Sequence, residues 1–217
     1  MNHSNLSRIF CQNQKLVIQL CEMILTPHCI GELVLTSGKL VACDPLVFPG
    51  TEPFDASFQP GRYPVTLSIA YNPKDNSKTV AYAMLHLSKQ TPVKWKLATK
   101  IGEDLSALSE NEVFGYGVDS GTGCFMDADV SQIIVDKSWE AETYEETLTS
   151  QLDDLLEENS RLGLKWANMR VDEDTEANVI AFASGFGDGF YASYFGYDAE
   201  GCIVAVVTEF LSGELPE

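Results

Sequence analysis

Hydrophobic and polar residues alternate along many short segments of this chain, a period that is typical of half-buried β-strands. The clearest example is residues 65–71 followed by residues 79–87. They flank a turn-forming sequence, residues 72–77, that contains a proline, an aspartate and two asparagines. We expect these two segments to form an antiparallel hairpin, with residues 93–98 as a third strand.

A second hairpin is predicted around Gly38, because short apolar runs precede and follow the Ser-Gly pair at 37–38. Further strands are predicted over residues 113–118, 166–171, 178–183, 190–197 and 203–210. The connections between successive strands are short, which favours antiparallel pairing over parallel winding.

Helical spacing of apolar residues occurs in three segments. Residues 15–25 carry the first such pattern, which Pro27 would end. Asp127 has the position of an N-cap before a second helix, which carries Val130, Ile133 and Ile134. Residues 1–14 are polar and are expected to be loose.

The strongest helical pattern covers residues 143–161. Thr143 and Glu146 have the spacing of a capping box, and an apolar stripe is formed by Leu148, Leu152, Leu155 and Leu156. Between Lys137 and Arg161 there are eight acidic residues and no basic one. We therefore expect a negatively charged solvent face, whose candidate partner-binding residues are Glu142, Glu145, Asp153, Asp154, Glu157 and Glu158.

These elements predict an α+β fold, mainly antiparallel β-sheet and sandwich-like, with about three helices. A length of 217 residues suits a single globular domain over residues 1–217, with the acidic helix inserted between two strand-rich halves. Hydrophobic residues make up 45% of the chain, enough for a buried core, so general disorder is not expected.

The charge balance changes the picture of possible partners. There are 32 acidic and 14 basic residues, and the formal net charge is −18. Such a chain repels phosphate backbones and anionic lipid headgroups, so we expect neither a nucleic acid nor a membrane surface as its partner. A basic protein would be attracted, although acidity that serves only solubility explains the charge equally well.

Six cysteines indicate the compartment. None forms a Cys-x-x-Cys pair or a zinc-finger cluster with histidine. The first residues lack the basic and apolar regions of a signal peptide, and no apolar stretch approaches the length of a membrane span. We therefore expect a cytoplasmic protein whose thiols stay reduced.

Two segments rich in glycine, aromatic residues and aspartate, at 114–127 and 184–198, are where a ligand site is predicted. Glycine lets the backbone turn sharply or approach another group closely. The candidate ligand-binding residues there are Asp119, Cys124, Asp127, Asp188, Tyr191 and Asp198.

Each specific chemistry at these segments lacks one required group. The glycines fit neither phosphate-binding pattern, and no lysine follows them. Asp127 and Asp129 resemble the start of a calcium loop, but the later glycine and glutamate are missing. Cys124 would need a base, and His86 is typical of a strand histidine. The sequence therefore predicts no catalytic residue, no metal and no cofactor.

Four stretches of the chain resemble a bacterial family catalogued as domain of unknown function 4241. They are Gly38-Lys-Leu-Val-Ala-Cys-Asp-Pro-Leu46, Pro60-Gly-Arg-Tyr-Pro-Val65, residues 115–127, and Gly187-Asp-Gly-Phe-Tyr191 with residues 196–201. Ala192 stands where we would expect a proline, but the Gly-Asp-Gly turn is kept. The resemblance spans roughly residues 30–210 and implies a single domain without implying an activity.

Two hypotheses of different classes follow. In the first, the chain is a non-enzymatic binding protein, of an immunity type for example, that masks a basic protein partner through its acidic helix. In the second, it is a small-ligand-binding protein or hydrolase-like enzyme with a pocket at segments 115–127 and 185–198. The second hypothesis requires Asp119, Cys124, Asp188 and Tyr191 to converge.

Overall fold

The structure, a computed structural model, describes residues 3–110, 112–160 and 164–216. Its strands are β1 (Gln14–Ile18), β2 (Cys21–Leu35), β3 (Leu40–Cys43), β4 (Gly61–Tyr71), β5 (Lys78–His86), β6 (Lys94–Leu97), β7 (Tyr116–Val118), β8 (Thr122–Asp127), β9 (Trp166–Arg170), β10 (Asn178–Ala183), β11 (Gly189–Tyr191), β12 (Ser193–Tyr197) and β13 (Ile203–Glu209). The α-helices are α1 (Ala128–Glu140) and α2 (Leu148–Glu158), and 3-10 helices cover His3–Phe10, Leu105–Ala107 and Tyr144–Glu146.

The strands form a seven-stranded sheet, ordered β1-β2-β4-β5-β13-β12-β6, and a four-stranded sheet, ordered β3-β8-β10-β9. A two-stranded ribbon pairs β11 with β7. The pairs between these strands are antiparallel, and the larger sheet curls into a half-barrel. The prediction of an α+β fold that is mainly antiparallel is confirmed.

The two sheets face each other across the main core, where Leu33, Leu67 and Leu85 of the larger sheet meet Phe125 and Phe182 of the smaller one. The opposite face of the smaller sheet packs against α1 and α2. Because both faces of this sheet are covered, β8 is buried along its whole length and shows no alternation. The outer face of the larger sheet is covered in part by the first 3-10 helix.

The hairpin of residues 65–87 is confirmed, since β4 and β5 pair directly. Residues 93–98 contain the expected strand β6, which pairs with β12 at the far edge of the sheet. Asp127 caps α1 as predicted, because its carboxylate accepts the amide hydrogen of Asp129.

The helix predicted over residues 15–25 is wrong. The segment is a β-hairpin in which β1 pairs with β2, and Leu16 lies opposite Met23. The two loop residues, Gln19 and Leu20, both have positive φ, as in the tight turns that suit hairpins. The usual Asn-Gly signal for such a turn is missing, so the sequence pattern did not indicate the turn.

Two further expectations at the N-terminal end are corrected. The hairpin around Gly38 does not form, because β2 pairs within the larger sheet while β3 pairs with β8 of the smaller one. Gly38 instead marks the point where the chain changes sheets. Residues 3–10, expected to be loose, form a 3-10 helix that buries Leu6 and Ile9.

The acidic helix is shorter than predicted and begins later. A 3-10 turn precedes α2, and the N-cap is Thr147, whose hydroxyl accepts the amide hydrogen of Ser150 at 3.0 Å. Thr143 makes no capping bond with its side chain, so the predicted capping box is wrong. Arg161, the predicted last residue, lies outside the described residues.

Candidate functional site

The two glycine-rich segments meet in the structure. Val118 of β7 pairs with Gly189 of β11, which places Asp119 and Asp188 at the same end of the ribbon. Both aspartates are exposed to solvent. Beyond them, a Cβ atom on Gly121 would lie 3.6 Å from the Cα atom of Gly187.

Tyr191 belongs to this ribbon, but its hydroxyl is committed to the neighbouring turn. It donates to the carbonyl oxygen of Gly187 at 2.7 Å, and its ring packs edge-on against Phe210. Burial raises the pKa of the Tyr191 hydroxyl. The side chain therefore holds the 184–188 turn in place.

Cys124 lies apart from these residues, inside the smaller sheet. It is fully buried and paired across the strands with Cys43, with 3.7 Å between the two Sγ atoms. Burial raises the pKa of the Cys124 thiol well above its usual value. A nucleophilic cysteine needs a stabilised thiolate and access to substrate, and this residue has neither.

Asp127 and Asp198 use their carboxylates inside the fold. Asp127 Oδ2 accepts the amide hydrogens of three residues in the turn between β2 and β3, at 3.0–3.2 Å. Asp198 accepts amide hydrogens from Glu200 and Cys202 in the turn before β13. Both carboxylates stabilise turns, and Asp127 lies at the end of β8 opposite to the 119–121 turn.

The sequence analysis missed Asp44, which is a fully buried carboxylate. Its oxygens accept the amide hydrogens of Leu46, Val47, Asp119 and Ser120, and the Ser120 hydroxyl, at 2.8–3.2 Å. Asp44 thus fixes the start of the glycine turn that follows β7. The sequence shows an Asp-Pro pair at residues 44–45, but no local pattern in it indicates the contact with Ser120.

A cavity of about 770 Å³ lies elsewhere, where the space between the two sheets opens to solvent. Its lining residues are Asn13, Ile24, Thr26, His28, Leu67, Ile69, Tyr71, Lys78, Asn159, Leu164 and Trp166. We refer to it as the β2–β4 cavity, because these two strands form its floor. Cavities of this volume are of the size that holds small ligands.

The floor of the β2–β4 cavity follows from strand alternation. Alternate residues line it from Ile24 to His28 in β2 and from Leu67 to Tyr71 in β4, and the strand register joins them in the pairs Ile24–Tyr71, Thr26–Ile69 and His28–Leu67. The intervening residues Met23 and Leu25 are buried on the other face. Since three residue pairs cover four steps along a strand, the floor is about 14 Å long.

The opposite wall comes from three described residues near the end of α2 and the beginning of β9. Asn159 directly follows α2, Leu164 lies two residues before β9, and Trp166 is the first residue of β9. The Trp166 ring meets the His28 ring edge-on, with centroids 6.3 Å apart. Apolar side chains such as Ile24 and Ile69 remain only half-buried because they face open space between these walls.

The acidic surface predicted around α2 is also present. Of its eight carboxylates, Glu140 pairs with Lys137 and Glu157 pairs with Lys165. No other salt bridge to the eight occurs within the described part of the chain. The predicted partner-binding residues Glu142, Glu145, Asp154, Glu157 and Glu158 are exposed, and Asp153 is half-buried.

Two aromatic side chains lie on this acidic surface. Trp139 is 85% exposed at the end of α1, and Tyr144 is 55% exposed in the following 3-10 turn. The pKa of Tyr144 is raised, first by partial burial and then by the charges of Asp153, Asp154 and Glu145. Tyr144 therefore lies against the acidic face of α2.

Among residues 3–110, 112–160 and 164–216, no group of three His, Cys, Asp or Glu is arranged to hold a metal ion. In the same ranges, no helix combines the length and the apolar character that crossing a membrane requires.

The chain matches a protein-family model. A family model described as "Protein of unknown function (DUF4241)" matches residues 33–208, which is more than half of the chain. No curated protein and no solved structure matches the chain. The matched range contains β4, both glycine-rich segments and α2, whereas the β1–β2 hairpin turn lies before it.

Proposed function

The chain belongs to the DUF4241 family, and from that premise we propose that it is a non-enzymatic binding protein that holds a small molecule in the β2–β4 cavity. The observation that supports this most is the cavity itself, whose floor carries Ile24, Leu67 and Ile69 and whose lining also includes polar side chains. Binding sites for small molecules have this composition, in which apolar area supplies affinity and a few polar groups fix orientation.

A non-catalytic role is favoured by the state of the candidate reactive groups. Cys124 is enclosed in the core, and Asp44, Asp127 and Asp198 are occupied by hydrogen bonds from turn amides. Asp119 and Asp188 are exposed and close, but the tyrosine beside them is committed to a backbone carbonyl. The ligand site expected at segments 115–127 and 185–198 is therefore less well supported than the cavity.

We place the protein in the cytoplasm as part of the same proposal. All six cysteines are free, including the neighbouring pair Cys43 and Cys124 and the exposed Cys11, Cys29 and Cys202. Exposed thiols persist in a reducing compartment.

Binding of a neutral fluorescent probe tests the cavity. N-phenyl-1-naphthylamine, which is apolar and uncharged, should bind saturably with a rise in fluorescence. Ile24→Trp fills the cavity from its floor and should weaken binding at least tenfold. Ile133→Trp, at a half-buried position on α1 outside the cavity, is the matched control and should change affinity less than twofold. Absence of saturable binding to the wild type, or equal affinity of the two variants, would contradict the proposal.

A second candidate function is supported by the exposed aromatic residues of the acidic surface. Trp139 and Tyr144 are of the residue types that act as anchors in protein interfaces, and the carboxylates around them favour a basic partner. This is the masking role expected of an immunity-type protein.

Retention of a basic protein from host extract tests this second role. At low salt we expect retention by the wild type and loss of it with Trp139→Ala, with release as salt rises. Phe186→Ala, at an exposed aromatic residue outside the acidic surface, is the control and should retain the partner. Equal retention by both variants, or none at low salt, would contradict an interface at Trp139.

A further inference from the structure

The ionisable groups of the β2–β4 cavity point to the chemistry of its ligand. We infer, on the basis of the proposed function, that the ligand is an elongated apolar molecule with a carboxylate at one end. The carboxylate would be held at Lys78, and the apolar body would lie along the floor toward Trp166.

The first argument is the charge of the lining. The chain has 32 acidic and 14 basic residues, yet its described cavity lining contains Lys78 and His28 and no carboxylate. Lys78 forms no salt bridge within the described ranges of the chain. Lys78 therefore lines the cavity without a salt bridge to a carboxylate of the described chain, and it can pair with the anion of a ligand.

The second argument is the position of Lys78 along the floor. Lys78 lies opposite Tyr71, which in turn pairs with Ile24, so these residues mark one end of the cavity. His28 and Trp166 mark the other end, about 14 Å away along the strands. Between the ends lie Thr26 and Ile69, and neither side chain carries a charge. A ligand that contacts both ends of the cavity is therefore long, apolar in the middle and anionic at the Lys78 end.

The Tyr71 hydroxyl does not compete for this role. It donates to Asn76 Oδ1 at 2.5 Å, in the turn between β4 and β5. The amides of Asn13 and Asn159 lie at the rim and can bond a carboxylate or its solvent. The negative net charge of the protein opposes anions at long range, but salt screens this repulsion beyond about 8–10 Å, so the local lining decides.

Three ligands with the same ten-carbon chain and different head groups test the inference. Decanoate, decanol and decylamine are titrated against the bound naphthylamine probe. Decanoate should displace the probe at a concentration roughly fivefold or more below that of the other two ligands. Lys78→Met should remove that advantage and leave the affinity for decanol unchanged. Lys74→Met removes the same charge from the adjacent turn, outside the cavity, and should change none of the three affinities.

The outcomes separate the two proposals. If the probe binds but the three head groups displace it equally, the anionic assignment is wrong and the cavity remains a binding site. If Lys78→Met weakens all three ligands alike, Lys78 shapes the cavity and does not recognise charge, which also overturns the inference. Failure of the probe to bind overturns the proposed function and the inference with it. Thermal unfolding of both lysine variants checks that they fold like the wild type.

Discussion

Replacing Asp127 by asparagine removes one charge at a residue that joins three elements. Asp127 Oδ2 accepts amide hydrogens from Thr36, Ser37 and Gly38, and Oδ1 accepts the hydroxyl hydrogen of Ser37 and the amide hydrogen of Asp129. Asparagine can keep its carbonyl oxygen toward the three turn amides. Its NH₂ group then faces the Asp129 amide, and the N-cap bond is lost.

The free-energy cost follows from these contacts. Loss of the N-cap bond costs about 1 kcal/mol, and loss of the charge on the acceptor weakens each of three turn bonds by about 0.5 kcal/mol. The total is about 2.5 kcal/mol, which for a chain of this size lowers the melting temperature by roughly 5–10 °C. Thermal unfolding followed by circular dichroism measures this difference.

The neighbouring Asp129 provides the control for this prediction. It is exposed and accepts one hydrogen bond, from the Thr36 hydroxyl at 2.9 Å. Asp129→Asn should therefore lower the melting temperature by less than about 3 °C, the effect of one exposed carboxylate near a helix N-terminus. Equal melting temperatures for the two variants would refute the view that Asp127 is a structural carboxylate.

Three other predictions concern the core and the turns. A thiol reagent should modify the exposed Cys11 within minutes and the buried Cys124 only when the protein unfolds. Rapid labelling of Cys124 in the native protein would contradict its burial. Burial raises the pKa of Glu209, so the folded state holds this proton more tightly than the unfolded state, and stability is lost as pH rises through the folded pKa. Glu209→Gln should thus raise the melting temperature more at pH 8 than at pH 4, and an increment independent of pH would contradict that sign. Gly38→Ala should lower the free energy of unfolding by more than about 2 kcal/mol, because residue 38 has a positive φ and its Cβ atom would lie 2.1 Å from a carbonyl oxygen. Gly102 also has a positive φ but no atom near its Cβ position, so Gly102→Ala should cost about 1 kcal/mol. Chemical denaturation measures both differences.

Local patterns predicted those parts of the fold that local contacts determine. The β4–β5 hairpin was found because its strands alternate and its turn carries proline, asparagine and aspartate. Asp127 was recognised as an N-cap because capping acts within three residues. The acidic surface was foreseen because its charges are close together in sequence.

Pairings between distant segments could not be read in the same way. β3 pairs with β8, more than eighty residues away, although its nearest strand in sequence is β2. In the β1–β2 turn, Gln19 and Leu20 adopt a conformation for which the sequence carries no signal, so the hairpin resembled a helix. The same error left the β2–β4 cavity unpredicted, because Ile24 lines the cavity only when its segment is a strand.

Methyl nuclear magnetic resonance tests the central claim, ligand binding in the β2–β4 cavity, most directly. N-phenyl-1-naphthylamine is titrated into protein labelled at isoleucine δ1 methyl groups. The account predicts saturable shifts at Ile24 and Ile69, which line the cavity, and none at Ile9 and Ile134, which are buried in other parts of the core. Unchanged signals at Ile24 and Ile69, or shifts confined to methyl groups outside the cavity, would contradict it.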